Sequence, residues 1–372
     1  MTQDGSINFD LLKAMLRDLG GGLEQGPSLK AMAADPVLKS LLRDEKETNP
    51  LKGALMGALK APVSLMCLAP GKTHCPSPPI ASHSIQKSGA LRTIADSGNH
   101  VLMLVGQPSF DERPRAKGKL VGVNVASTFP GLCSTHDAEI FLEIDTKPLD
   151  PPSTRQLFLL SYRSVLKEFH TKRYQERTAI ESSKVVLGYA GSSEEAKLAT
   201  IIHAYETHKG VFFLGKVKRL YDAIYTQGLH EKFFDFIWRR VPSFPIAVAS
   251  SFSPAHDLTG RDIPWLKDQE PVPTLTLDVV PDQHGTLISL ALPKWHEAAL
   301  RSLRGQFEAA SSDGEFVELT WEMALRNCEN LAIAPDAWGK ISPDDQATIE
   351  TFFNSTINQW AERPSRLPVP RR

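Results

Sequence analysis

The feature that most constrains this chain is a set of four metal-type ligands: Cys67 and Cys75, then, after a long interval, Cys133 and His136 in a compact Cys-x-x-His. Four cysteines in 372 residues are too sparse for a disulfide framework, and grouped cysteines in a reducing compartment bind metal or catalyse. A structural zinc site takes four such ligands from two short knuckles separated by a hairpin or helix. The spacing therefore predicts a Zn2+-bound treble clef over residues 63–145: a knuckle, a β-hairpin, then a helix opening at the second knuckle. The first knuckle is wide, so His74 and His83 stand as substitutes for Cys67. The competing reading is three unrelated reduced cysteines and a surface histidine. Cys328, at helical spacing among apolar neighbours, reads as a packing residue.

The rest of the chain predicts an α+β protein built around that ββα-like core. Residues 1–62 hold short amphipathic pieces and read as an N-terminal helical segment, with Gly20-Gly21-Gly22 a strong stop. Within the zinc domain, 63–150, the segments His100–Val105 and Leu120–Ala126 are β-like and flank a basic loop tip. Residues 151–241 have helical periodicity and close before Pro242. Residues 242–362 return to apolar strand-like runs followed by helices, an α+β C-terminal domain, and the Pro- and Arg-rich tail 363–372 reads as disordered. No apolar run is long enough for a spanning helix and no leader pattern opens the chain, so a cytoplasmic location without membrane contact is expected.

A formal net charge of -1 hides an asymmetry. Residues 151–240 carry 15 basic and 9 acidic side chains, whereas 241–372 carry 11 and 18. Together with Arg113, Arg115, Lys117 and Lys119 in the loop and its flank, the helical row Arg163, Lys167, His170, ending at Tyr174, predicts phosphate-backbone binding. The ordinary alternative for such charges is a solvated face. Gly71-Lys72-Thr73 lacks the upstream glycine and strand of a phosphate loop, no serine has a Gly-x-Ser-x-Gly context, and His256-Asp257 reads as a loop pair.

The string Cys75…Ser82-His83…His100…Gly131-Leu-Cys133-x-x-His136-Asp137…Phe141 resembles HNH-type nucleases and is similar to bacterial proteins of that HNH-like kind. The resemblance covers about a fifth of the chain. It sets Ser82-His83 at the family's Asp-His position, Cys133-x-x-His136 at the second zinc half-site, and Asp137 where the last histidine would stand. It implies a metal-dependent endonuclease, with host defence as one use. His83 would be the general base, and Asp137, with His100 or Asn99, would hold a catalytic Mg2+ or Mn2+ distinct from the zinc. Ser82 and Asp137 depart from the family pattern, which keeps open a second reading: a non-catalytic zinc-scaffolded module that binds nucleic acid or a protein partner.

Overall fold

The computed structural model describes residues 66–371 apart from 72–74, 76, 108–114, 190–191, 265–271 and 357–360. The N-terminal segment 1–62, His74 and Arg113 lie outside the described residues. The chain divides into two compact units. The larger comprises Leu65–Gln107, Arg115–His170 and Phe213–Arg372, and the smaller includes Thr171–Phe212.

In the larger unit, seven strands form one antiparallel sheet in the order β3-β2-β9-β6-β7-β8-β5. They are β2 (His100–Gln107), β3 (Arg115–Gly122), β5 (Phe234–Val241), β6 (Ile246–Phe252), β7 (Leu275–Asp282), β8 (Gly285–Pro293) and β9 (Leu331–Ile333). The apolar runs that mark β6, β7 and β8 in sequence are continuous rather than alternating because both faces of these strands are covered. One face buries Leu275, Leu277 and Val279 against Leu300, Leu303, Phe316 and Trp321, which come from α4 (Glu297–Glu308) and α5 (Asp313–Asn327). A further helix, α6 (Pro343–Thr356), adds Ile349, Phe352 and Phe353 to the same core.

The other face is lined by small residues, Ala247, Ala249, Ala291 and Ala332, in one core with Leu157, Tyr162, Val165 and Leu166. Those four belong to α2 (Thr154–Gly188). Small side chains on the sheet make room for bulky ones on the helix, which keeps packing dense. Ser161 Oγ lies 2.9 Å from Tyr221 Oη, and Tyr162 Oη donates to Asp222 at 2.6 Å, which ties α2 to α3 (Glu194–Gln227). Within the smaller unit the same two helices are linked by Ser183 Oγ donating to Thr200 O at 2.9 Å and by His208 paired with Glu176 at 2.6 Å.

The zinc domain expected over 63–150 is not a separate body. The hairpin β2–β3 exists, but β2 also pairs with β9, Leu102 opposite Ile333, so the segment contributes one edge of the large sheet. An isolated two-stranded hairpin is marginal in water, and joining the sheet removes that weakness. Nor do boundaries at 150/151 and 241/242 separate compact units. The strands beside the cysteines are instead β1 (Ser82–His83) and β4 (Thr128–Phe129), paired antiparallel with His83 opposite Thr128. The tail expected to be disordered packs: Leu367 is buried, and Trp321 Nε1 donates to Pro368 O at 2.8 Å.

Asp278, fully buried on β7, accepts a hydrogen bond from Ser164 Oγ at 2.7 Å, yet burial pushes its pKa up to about 7. The folded protein thus keeps this proton where the unfolded chain, at 3.8, has released it. The sign follows: this group's contribution is most favourable below the unfolded value and declines as pH rises to about 7. Asp278→Asn removes the decline. Unfolding free energies of variant and parent from denaturant titrations should diverge in the variant's favour between pH 4 and pH 7.5, by roughly a few kcal/mol. Parallel pH profiles would contradict this.

Candidate metal centre and adjoining cleft

Cys67 lies in an extended segment whose next residue, Leu68, donates its N–H to Gly131 O at 2.8 Å, and Ile80 N–H donates to Leu132 O at 2.8 Å. These bonds lay the first knuckle alongside the residues leading into Cys133. Cys133 then caps helix α1 (Ser134–Thr146), and the first turn carries His136 back over the sulfurs. The ligand atoms of Cys67, Cys75, Cys133 and His136 all lie within 4.8 Å of one another. His136 Nδ1 stands 3.4, 3.7 and 3.1 Å from the sulfurs of Cys67, Cys75 and Cys133. Zinc bonds of about 2.3 Å to sulfur and 2.0–2.1 Å to nitrogen, arranged tetrahedrally, require separations of about 3.6 Å. Three soft sulfurs and an imidazole at these separations suit a metal ion such as zinc.

The electrostatics agree with that donor set. Desolvation, and then the neighbouring Cys67 and Cys133, push the Cys75 thiol up to about 11. The Cys75 sulfur therefore holds its proton until a cation supplies the opposing charge, so metal binding there releases it. Cys133 N–H donates to Cys67 Sγ at 3.3 Å, an outer contact that orients a ligand. Of the substitutes considered for Cys67, His83 stands outside the cluster, and His74 lies outside the described residues. Cys328 is buried and packs in the C-terminal core, as its sequence context predicts.

Successive residues of a helix point about 100° apart, so Asp137 leaves the metal cluster to its neighbour and faces elsewhere. It lines an open cleft of about 470 Å³ together with Ser82, His83, Gln86, Lys87, Ser88, Arg92, Asp145 and Arg163. His83 Nε2 lies 2.8 Å from Val123 O. A carbonyl only accepts, so Nε2 carries the proton and Nδ1 keeps its lone pair. Burial first, then the cations Lys87 and Arg163, lower the His83 pKa below 6.5, although the Val123 bond opposes them. The ring is neutral at pH 7. Ser82 Oγ is buried without a hydrogen-bond partner of normal geometry, and its hydroxyl is close enough to Asp137 to act on that carboxyl. Burial raises the Asp137 pKa, and Arg163 and Ser82 pull it back down.

Several other sequence-predicted residues fall elsewhere. His100 is not among the cleft residues; its backbone N–H donates to Asp96 at 2.8 Å and its ring Nδ1 lies 3.7 Å from the same carboxylate. Asn99 is exposed with φ 58, shaping the turn before β2. Arg163 and Lys167 do not form a solvated cationic row. Arg163 is only 4% exposed, forks onto Asp145 at 2.9 and 2.6 Å, and lies over the Phe141 ring at 4.1 Å. Lys167 is half-buried, and burial lowers its pKa. The cause is that this part of α2 is a core helix, with most of its faces covered. Arg115, Lys117 and Lys119, by contrast, are exposed on β3. Sequence reasoning missed Gln86, Lys87, Arg92 and Asp145 as cleft residues. The only available signal was that the first three follow His83 within nine positions.

Comparison with protein-family models, with curated proteins and with solved structures finds no match. Among the described residues no helix is long and apolar enough to cross a membrane.

Proposed function

We propose that the chain is a divalent-metal-dependent, HNH-like phosphodiesterase acting on nucleic acid, in which a structural zinc in a treble-clef arrangement holds the cleft in shape. The observation that carries this reading is the division of labour at the start of α1. His136 turns to the sulfurs while Asp137 turns into a cleft shared with a neutral, oriented His83. The Cys67–Cys75 loop, the antiparallel β1–β4 pair and α1 opening on a ligand come in an order that supports the treble-clef reading, with the β2–β3 hairpin between β1 and β4.

The oxygen donors on the cleft wall fit a hard ion such as Mg2+ or Mn2+: the Asp137 carboxylate and the otherwise unpartnered Ser82 Oγ. Such ions keep several waters and are completed by substrate phosphate, so a sparse protein contribution suffices. When bound, the ion stabilises charge developing on the phosphoryl and leaving oxygens. The chain's own groups do the rest. His83 Nδ1 accepts a proton from the attacking water, with the Val123 carbonyl fixing the ring, and Lys87 and Arg92 balance phosphate charge. Arg163 is committed to Asp145 and braces α1 against α2.

The direct test is hydrolysis of bis(p-nitrophenyl) phosphate and of a plasmid by the purified protein with Mg2+ or Mn2+. Turnover that disappears with EDTA, at a concentration too low to strip the zinc, is the expected result. No turnover of either substrate with any divalent ion would leave the zinc-scaffolded, non-catalytic module as the better reading.

A further inference from the structure

Strand β3 closes one edge of the sheet, and outer backbone groups at Ala116 and Gly118 are already occupied. Ala116 N–H donates to Asn354 Oδ1 at 2.7 Å, Asn354 Nδ2 donates back to Ala116 O at 2.9 Å, and Gly118 N–H donates to Glu350 at 2.9 Å. Helix α6 therefore blocks the edge against strand addition. Lysines on an edge strand usually serve to discourage that pairing. Here the task is done by Asn354 and Glu350, so the exposed Arg115, Lys117 and Lys119 require another explanation.

These three side chains share one face, because alternate residues of a strand do. They stand opposite Gln107, Val105 and Met103 of β2. Continuing the same alternation reaches Val121, which packs with Met103 against the core that holds Ile85 and Leu91 of the cleft segment. The row thus lies on the sheet face that carries the cleft. Among the described residues none of the three has an acidic partner. Beyond Val121 the chain turns at Val123, whose carbonyl holds His83. Counting about 3.4 Å per residue back from there along the chain, Lys119 stands about 14 Å away, Lys117 about 20 Å and Arg115 about 27 Å. The steps of about 7 Å between successive cations are comparable with the phosphate repeat of an extended polynucleotide strand.

The geometry points to β3 as the track along which one nucleic-acid strand, in single-stranded form, is led to the cleft: Arg115, Lys117 and Lys119 each meet a backbone phosphate on the way to Lys87 and Arg92. A single row of cations follows a single backbone. This inference rests on the phosphodiester reading of the cleft, but its test separates the two.

The experiment compares the full-length protein with the Lys117→Gln/Lys119→Gln double variant. Binding of a fluorescein-labelled single-stranded DNA oligonucleotide is followed by anisotropy across a salt series without added divalent metal. In parallel, turnover of bis(p-nitrophenyl) phosphate, too small to reach β3, is measured with Mn2+. The variant should bind the oligonucleotide about tenfold more weakly, and the slope of log affinity against log salt should become shallower by about 1.4, two contacts at about 0.7 each. Its bis(p-nitrophenyl) phosphate turnover should equal the parent's. Unchanged affinity and slope would overturn the track, as would a matching loss of bis(p-nitrophenyl) phosphate turnover, which would mark a structural effect. Equal or tighter binding of the corresponding duplex would overturn its single-stranded character. Absence of all turnover in the parent would fail the catalytic reading alone, since the binding comparison still decides the track.

Discussion

Cys133→Ser should lose its zinc at neutral pH and lower the melting temperature by about 10 °C or more. Cys133 is fully buried, its sulfur is 3.1 Å from His136 Nδ1, and its backbone both caps α1 and contacts Cys67. A serine hydroxyl is a poor zinc ligand at neutral pH, and losing one of four ligands from a closed structural site forfeits much of the binding free energy, which here is folding free energy. The knuckle also anchors residues that pack with the larger core, including Leu68, Leu132 and Phe141, so the damage spreads beyond the ligands. Elemental analysis and thermal denaturation check the result. Cys328→Ser is the matched control: Cys328 is buried far along the chain in the other core, so that variant keeps one zinc per chain whatever it costs in packing. A stoichiometric zinc in Cys133→Ser, or its loss in Cys328→Ser, would contradict the ligand assignment.

What was legible in the sequence follows from the range over which each signal acts. The Cys/His cluster was readable because ligand chemistry favours bringing four such residues to one point in space, and the second knuckle is contiguous with the helix it opens. The wide spacing of Cys67 and Cys75 hid nothing, since any loop that returns to the Gly131–Cys133 backbone can close the set. The strands β6, β7 and β8 were readable from their continuous apolar runs. That β2 joins their sheet, through β9, was not, because the pairing of Leu102 with Ile333 joins residues more than two hundred positions apart and no local pattern encodes it.

Arg163 shows the same limit for a single side chain. Its spacing from Lys167 and His170 describes a cationic face, yet its guanidinium is neutralised by Asp145, a residue on a different helix. The tail is a second case. Its proline and arginine content favours disorder, but the Pro368 carbonyl accepts a hydrogen bond from Trp321 and Leu367 fills a core position, so tertiary contacts override composition. His83 is the intermediate case. The sequence marked it as chemically interesting, but only the Val123 carbonyl decides which nitrogen bears the proton.

That proton assignment bears on the central claim. If His83 Nδ1 is the base, His83→Ala removes a positioned general base, which typically supplies about 10²–10⁴-fold in rate. Because the ring is held in its neutral form and burial lowers its pKa, the parent's rate should rise with pH along a limb centred below 6.5, and the residual rate of the variant should lack that limb. The side chain is only half-buried and lies outside the Cys/His cluster found among the described residues, so zinc content and melting behaviour should stay near the parent's. The decisive measurement is therefore made on one preparation of His83→Ala: zinc per chain by elemental analysis, and bis(p-nitrophenyl) phosphate turnover with Mn2+. The account predicts one zinc per chain with turnover reduced at least about a hundredfold. Turnover equal to the parent's, or zinc lost along with turnover, would contradict it.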